Sequence, residues 1–171
     1  RSGTTWTQQQ KLTASDAAEN DEFGVRVSIT GDTAVLGAHA NGDAGTNSGS
    51  AYVFVRSGTT WTQQQKLTAS DAASGDLFGV SVSISGDYAV VGARGNDDAG
   101  SNSGSAYIFV RSGTTWTQQQ KLTASDAASG DTFGSSVSVS GGYAMVGAPY
   151  NDDGGSASGS ACVFVMLCDA S

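Results

Sequence analysis

Phe78 to Phe109 reads FGVSVSISGDYAVVGARGNDDAGSNSGSAYIF. After Phe-Gly, Val80, Val82 and Ile84 alternate with Ser81, Ser83 and Ser85, the period of two expected of a strand with one apolar and one small polar face. Gly86-Asp87 makes a tight turn. Tyr88 to Ala93, YAVVGA, returns as a more continuously apolar strand, which suits a sheet interior. The loop RGNDDAGSNSGS follows, and Ala106 to Val110, AYIFV, recovers a strand.

Nearly the same run occurs three times, and its register never slips: Trp6, Trp61 and Trp116 stand 55 residues apart, as do Phe23, Phe78 and Phe133. A fixed period without insertions predicts one supersecondary unit stacked on copies of itself, because a single copy buries too little surface to be stable. The chain reads as one repeat domain, 1–171, with repeats at 1–55, 56–110 and 111–165 and a divergent tail at 166–171. Gly31-Asp32 and Gly141-Gly142 stand where Gly86-Asp87 does.

The segment RSGTTWTQQQKLTAS recurs unchanged at 1–15, 56–70 and 111–125. Trp6, Gln8, Gln10 and Leu12 alternate with Thr7, Gln9 and Lys11, so it reads as a polar strand on the outer edge of a sheet, pinned there by its Trp. The connection that follows carries Asp16, Asp71 and Asp126 and then Asp21, Asp76 and Asp131, which are expected to cap turns by accepting from nearby backbone amides. Each repeat thus supplies four antiparallel strands, joined by two short turns and one longer acidic loop.

Composition agrees with an all-β chain. Gly numbers 24 and Pro 1, with helix signals poor throughout. The formal charge of −8 argues against binding nucleic acid or anionic membranes. No apolar run reaches the roughly 18 residues of a membrane helix. Arg1 is no initiator, which predicts a processed chain or a piece of a longer one. Cys162 and Cys168 have no counterparts in the other repeats, and an extended VFVML between them would hold them roughly 20 Å apart, so they read as two free thiols in a divergent tail, with a bridge through a bend or a pairing between chains as the alternatives.

Four-stranded meanders repeated around an axis describe a β-propeller. Phe78-Gly79, Gly92-Ala93 and Gly104-Ser105-Ala106-Tyr107-Ile108-Phe109 resemble the FG-GAP repeat, the blade of the integrin α-subunit propeller, and Gly147-Ala148-Pro149 spells out its second motif. All three copies carry the resemblance. It implies an extracellular or cell-surface propeller, often adhesive, usually of seven blades. Three blades are too few to close a ring, so two or three chains closing it as a homo-oligomer are expected, or neighbouring repeats of a longer chain. A threefold β-prism or β-trefoil is the alternative fold.

The family often carries a calcium loop of the form D-x-D-x-D-G-x-x-D between its FG and GAP strands. Here that connection has shrunk to Ser85-Gly86-Asp87. A different set of oxygen ligands follows the GA motif: Asn96, Asp97, Asp98 and Asn102 in the second repeat, Asn151, Asp152 and Asp153 in the third. Calcium at these loops is weighed against a self-bonded acidic turn, which is preferred.

Catalytic chemistry is thin. His39 is the single histidine, has no counterpart in the other repeats and reads as a solvated loop residue; no G-x-S-x-G elbow, P-loop or N-x-[ST] triplet occurs. The expectation is a noncatalytic structural or adhesion module acting through self-assembly and protein-protein contacts, without a cofactor. The alternative is a carbohydrate-binding module using the loops around Tyr88 and Tyr150.

Overall fold

The computed structural model describes residues 3–166. It is all β, with no helix among the described residues. The first sheet holds β1 (Val27–Thr30), β2 (Thr33–Ala38), β3 (Ser50–Ser57) and β4 (Thr60–Leu67), hydrogen-bonded in that order. The second holds β5 (Ser81–Ser85), β6 (Tyr88–Ala93), β7 (Ser105–Ser112) and β8 (Thr115–Leu122). The third has β9 (Ser136–Ser140), β10 (Tyr143–Ala148) and β11 (Ser160–Val165) only. All pairings are antiparallel meanders, and the three sheets stack in a propeller-like series rather than forming a prism or trefoil.

A sheet starts at the Phe-Gly strand and is closed by the Trp strand of the following repeat. Tyr52 pairs with Lys66 and Tyr107 with Lys121. The first Trp segment therefore differs from the expectation: residues 6–14 belong to none of the three sheets, and Trp6 is 87% exposed while Trp116 is 2% exposed. A strand forms only against a partner edge, and among the described residues no strand lies beside residues 6–14 to supply one. Nor does the Trp strand alternate strictly. Gln65 pairs with Val53 and Gln63 with Phe54, so Gln64 is the extra residue of a β-bulge, repeated at Gln119.

The core lies between the sheets. Val35 and Val53 of the first sheet face Val82 and Ile84 of the second, and Val90 and Ile108 of the second face Val137 and Val139 of the third. Phe78 is fully buried, edge-on to Tyr107 and Phe109 at ring-centroid distances of 5.5 and 6.0 Å. The Ser face allows close approach, as its small side chains predict: Ser28 Oγ accepts the Ile84 N–H (3.2 Å) and Ser83 Oγ accepts the Val139 N–H (3.0 Å), each across a sheet boundary. The glycines of the two signature motifs meet there as well. A Cβ on Gly92 would lie 2.0 Å from the Gly134 carbonyl oxygen, a contact that only glycine permits.

Candidate functional site

Each boundary between sheets is built from the same parts. At its outer end, Trp116 donates its backbone N–H to Gln65 Oε1 (2.8 Å) and its indole Nε1–H to Gln64 Oε1 (3.2 Å), while Gln65 Nε2 donates to the Trp116 carbonyl (2.7 Å). Toward the loops, the backbone N–H groups of Leu77 and Phe78 donate to the carbonyls of Asn47 and Ser48, both at 3.0 Å. The next boundary repeats this with Thr132 and Phe133 donating to Asn102 and Ser103.

A lysine network spans each completed sheet. Lys121 Nζ, from β8, bonds Asp71 Oδ2 (2.5 Å) and Asp98 Oδ2 and reaches Asn96 Oδ1 (3.1 Å), and Tyr107 Oη donates to Asp71 Oδ1 (2.9 Å). Lys66 joins Asp16 (2.6 Å) and Asp43 in the same way. Burial alone would lower the lysine pKa values, but the paired carboxylates hold Lys121 and Lys66 above their ordinary range. Burial would likewise raise Asp71 and Asp16, but bonds from the lysines keep both below the usual carboxylate range. Burial and the Asp71 carboxylate push the Tyr107 phenol up.

Asp16 and Asp71 thus act as ion-pair partners. The second set behaves as expected of turn caps: Asp21, Asp76 and Asp131 accept the backbone N–H groups of Ala18, Ala73 and Ala128 at 2.8–2.9 Å and are all buried.

The acidic loops bond to themselves. Asp97 Oδ1 accepts the Asn102 N–H (2.7 Å), and Asp152 Oδ1 accepts the Ala157 N–H (2.6 Å). Buried Asn96 accepts from Ser105 Oγ (2.9 Å), Asn151 from the Asp153 N–H (3.2 Å), and Asp98 is taken up by Lys121. Among the described residues, no three His, Cys, Asp or Glu side chains are grouped to hold a metal ion. The family's calcium loop does not fit here, because Gly86-Asp87 is a two-residue turn and Asp87 accepts from Arg111 Nε (2.7 Å).

His39 is not a solvated loop residue. Its side chain is 17% exposed, Nδ1 has no hydrogen-bond partner, and Nε2 lies 3.6 Å from Glu22. Tyr88 and Tyr150 are not brought together: Tyr88 opens β6 at the turn end of its sheet, whereas Tyr150 follows β10 at the loop end and is 57% exposed. Cys162, on β11, is a free thiol that burial pushes above its usual range; Cys168 lies outside the described residues.

What distinguishes the two ends of the series is that their halves of the boundary are unmatched. Val27 and Ile29 of the first sheet are 65% and 63% exposed, although their equivalents Val82 and Ile84 are 9% and 6% exposed. On the third sheet Met145, Val163 and Val165 are open, although Val90, the equivalent of Met145, is fully buried. The backbone follows the same division. A Cβ on Gly147, the equivalent of Gly92, would press only on the Ser136 hydroxyl, at 2.4 Å, and one on Gly24, the equivalent of Gly79, would meet nothing within 4 Å. These faces were hidden from sequence reasoning because the residues on them are those of the buried boundaries; only the count of sheets exposes them.

The FG-GAP repeat family matches the chain at residues 6–54, 61–109 and 116–164. No curated protein matches it. Among the described residues, no helix is long and apolar enough to cross a membrane.

Proposed function

Because the chain belongs to the FG-GAP repeat family, a propeller-like, generally noncatalytic class typical of extracellular proteins, we propose that it is a structural or adhesion module outside the cell, acting through self-assembly. The observation that carries this reading is the pair of unmatched apolar faces. Val27 and Ile29 at one end and Met145, Val163 and Val165 at the other are copies of residues that bury each other inside the chain. Contiguous apolar faces of this kind favour association. They lie at opposite ends of the series, so the contact between copies is head-to-tail, and a rotation that closes yields a ring of two or three chains.

The reading is tested by Ile29→Asp, which places a charge on one face at a residue that is 63% exposed. The substituted chain is expected to unfold at nearly the parent temperature and to sediment as a 17.2 kDa monomer, whereas the parent sediments as a larger species. A parent and variant of the same sedimenting mass overturn the assembly reading.

A further inference from the structure

Asparagine followed by glycine occurs once in the chain, at Asn41-Gly42, in the loop between β2 and β3. The other repeats have Asn96-Asp97 and Asn151-Asp152 at the equivalent positions. All three side chains fold the same way: Oδ1 of Asn41, Asn96 and Asn151 accepts the N–H two residues on, at 3.4, 3.4 and 3.2 Å. Such a bond bends the carboxamide over the intervening peptide and brings Cγ toward the backbone nitrogen of the next residue. What differs is that next residue. Asp97 and Asp152 carry a Cβ beside the nitrogen and are pinned through their carboxylates to the N–H groups of Asn102 and Ala157, whereas Gly42 has neither restraint.

The remaining asparagines are protected by their backbone. The amides that follow Asn20, Asn47 and Asn102 are tied down: the Asp21 N–H donates to the Ala18 carbonyl (3.4 Å), that of Ser48 to Gly45 (3.0 Å) and that of Ser103 to Gly100 (3.0 Å). The Gly42 N–H donates to no protein group among the described residues, and Gly42 is exposed. An unhindered, unengaged nitrogen lying beside a folded carboxamide is placed for ring closure.

We infer that Asn41 is a site of spontaneous deamidation, and that its conversion loosens the boundary between the first and second sheets. The Gly42 nitrogen gives up its proton and bonds to Cγ of Asn41. The Cγ–Nδ2 bond breaks and Nδ2 leaves as ammonia, after which water opens the five-membered ring on either side, to aspartate or isoaspartate. Both products fit poorly. Asn41 is buried, its Nδ2 donates to Oδ2 of the buried Asp21 (3.3 Å) and Ser50 Oγ donates to its Oδ1 (2.9 Å). Conversion to aspartate replaces that donor with a second carboxylate facing the first, while Lys66 is already shared between Asp16 and Asp43. Isoaspartate also adds a backbone atom, at a residue whose carbonyl accepts the Gly49 N–H (2.8 Å) and Ser48 Oγ (3.2 Å). The same loop presents the Asn47 and Ser48 carbonyls that hold Leu77 and Phe78 of the second repeat, so a disturbance at Asn41 reaches the boundary.

Incubating the folded parent chain at mildly alkaline pH and measuring the masses of its peptides over time tests this. Each conversion exchanges an NH2 for an OH and adds about 1 Da. The gain at Asn41 is expected to be about tenfold faster than at Asn96 or Asn151, which share its pose in the same chain. A Cβ at Gly42 would meet only the Gly45 carbonyl, at 3.7 Å, so Gly42→Asp fits the loop and is expected to bring Asn41 down to the rate of the other two. Asn41→Asp, the aspartate product made directly, is expected to melt several degrees below the parent. Equal rates at the three positions, or conversion at Asn41 only once the chain is unfolded in denaturant, overturn the site. Unchanged melting in both the aged parent and Asn41→Asp overturns the effect on the boundary.

Discussion

At the scale of single residues, glycine carries the fold's closest contacts. Gly92 sits where any side chain would press on the Gly134 carbonyl, and backbone cannot turn aside as a side-chain tip can. Gly92→Ala is expected to cost about 2 kcal/mol or more, a fall in melting temperature of roughly 4–8 °C for a chain of this size. Gly147→Ala, facing only the rotatable Ser136 hydroxyl, should leave the monomer's melting almost unchanged. Melting curves of the two variants check this, and equal losses would contradict it. The sequence shows that these glycines recur with the Phe-Gly and Gly-Ala motifs. It does not show that one motif's glycine meets the other's across a sheet boundary, because that contact joins residues of different repeats.

Within the elements, strict alternation made the Phe-Gly strand and its Gly-Asp turn legible, since Val82 and Ile84 are buried and the serines face the neighbouring sheet. The Trp strand was less legible. Its bulge at Gln64 breaks the alternation that Trp6, Gln8, Gln10 and Leu12 suggest, and nothing in a run of three glutamines marks which one is extra. The lysine network was illegible for another reason: Lys121 draws Asp71 and Asp98 from 50 and 23 residues away.

That network sets the response to pH. Asp71 is held below its ordinary 3.8 in the folded chain, so its contribution is present above that value and lost as pH falls through the lower folded one. Lys121 is held above its ordinary 10.5, so its contribution is complete below 10.5 and lost as pH rises through the higher folded value. Melting temperature is expected to be level between about pH 5 and 9 and to fall on either side. Lys121→Gln should lower the plateau by about 1 kcal/mol, since both carboxylates are partly exposed, and should flatten the acid limb. An acid limb of unchanged slope would show that the pair is energetically idle.

The acidic loops give a second prediction at this scale. The carboxylates of Asp97 and Asp152 are taken up by their own loop amides, so chelation with EDTA is expected to leave the melting temperature where it was. A rise of several degrees on adding millimolar calcium would instead assign Asn96, Asp97, Asp98 and Asn102, with Asn151, Asp152 and Asp153, to a metal site.

For the molecule as a whole, three propeller-like sheets leave one face open at each end. Repetition of the Phe-Gly strand was enough to read the stacked architecture. Which copies would find partners was not readable, because Val27 and Val82, or Trp6 and Trp116, have near-identical surroundings in sequence and opposite surroundings in space. The same identity means that the exposed Val27 and Ile29 have, inside the chain, buried examples in Val82 and Ile84 of how such residues are covered.

The mass of the parent chain in solution, measured by sedimentation velocity across a range of concentrations, tests self-assembly most directly. A particle of two or three times 17.2 kDa is expected. A particle that stays at 17.2 kDa at every concentration would contradict it.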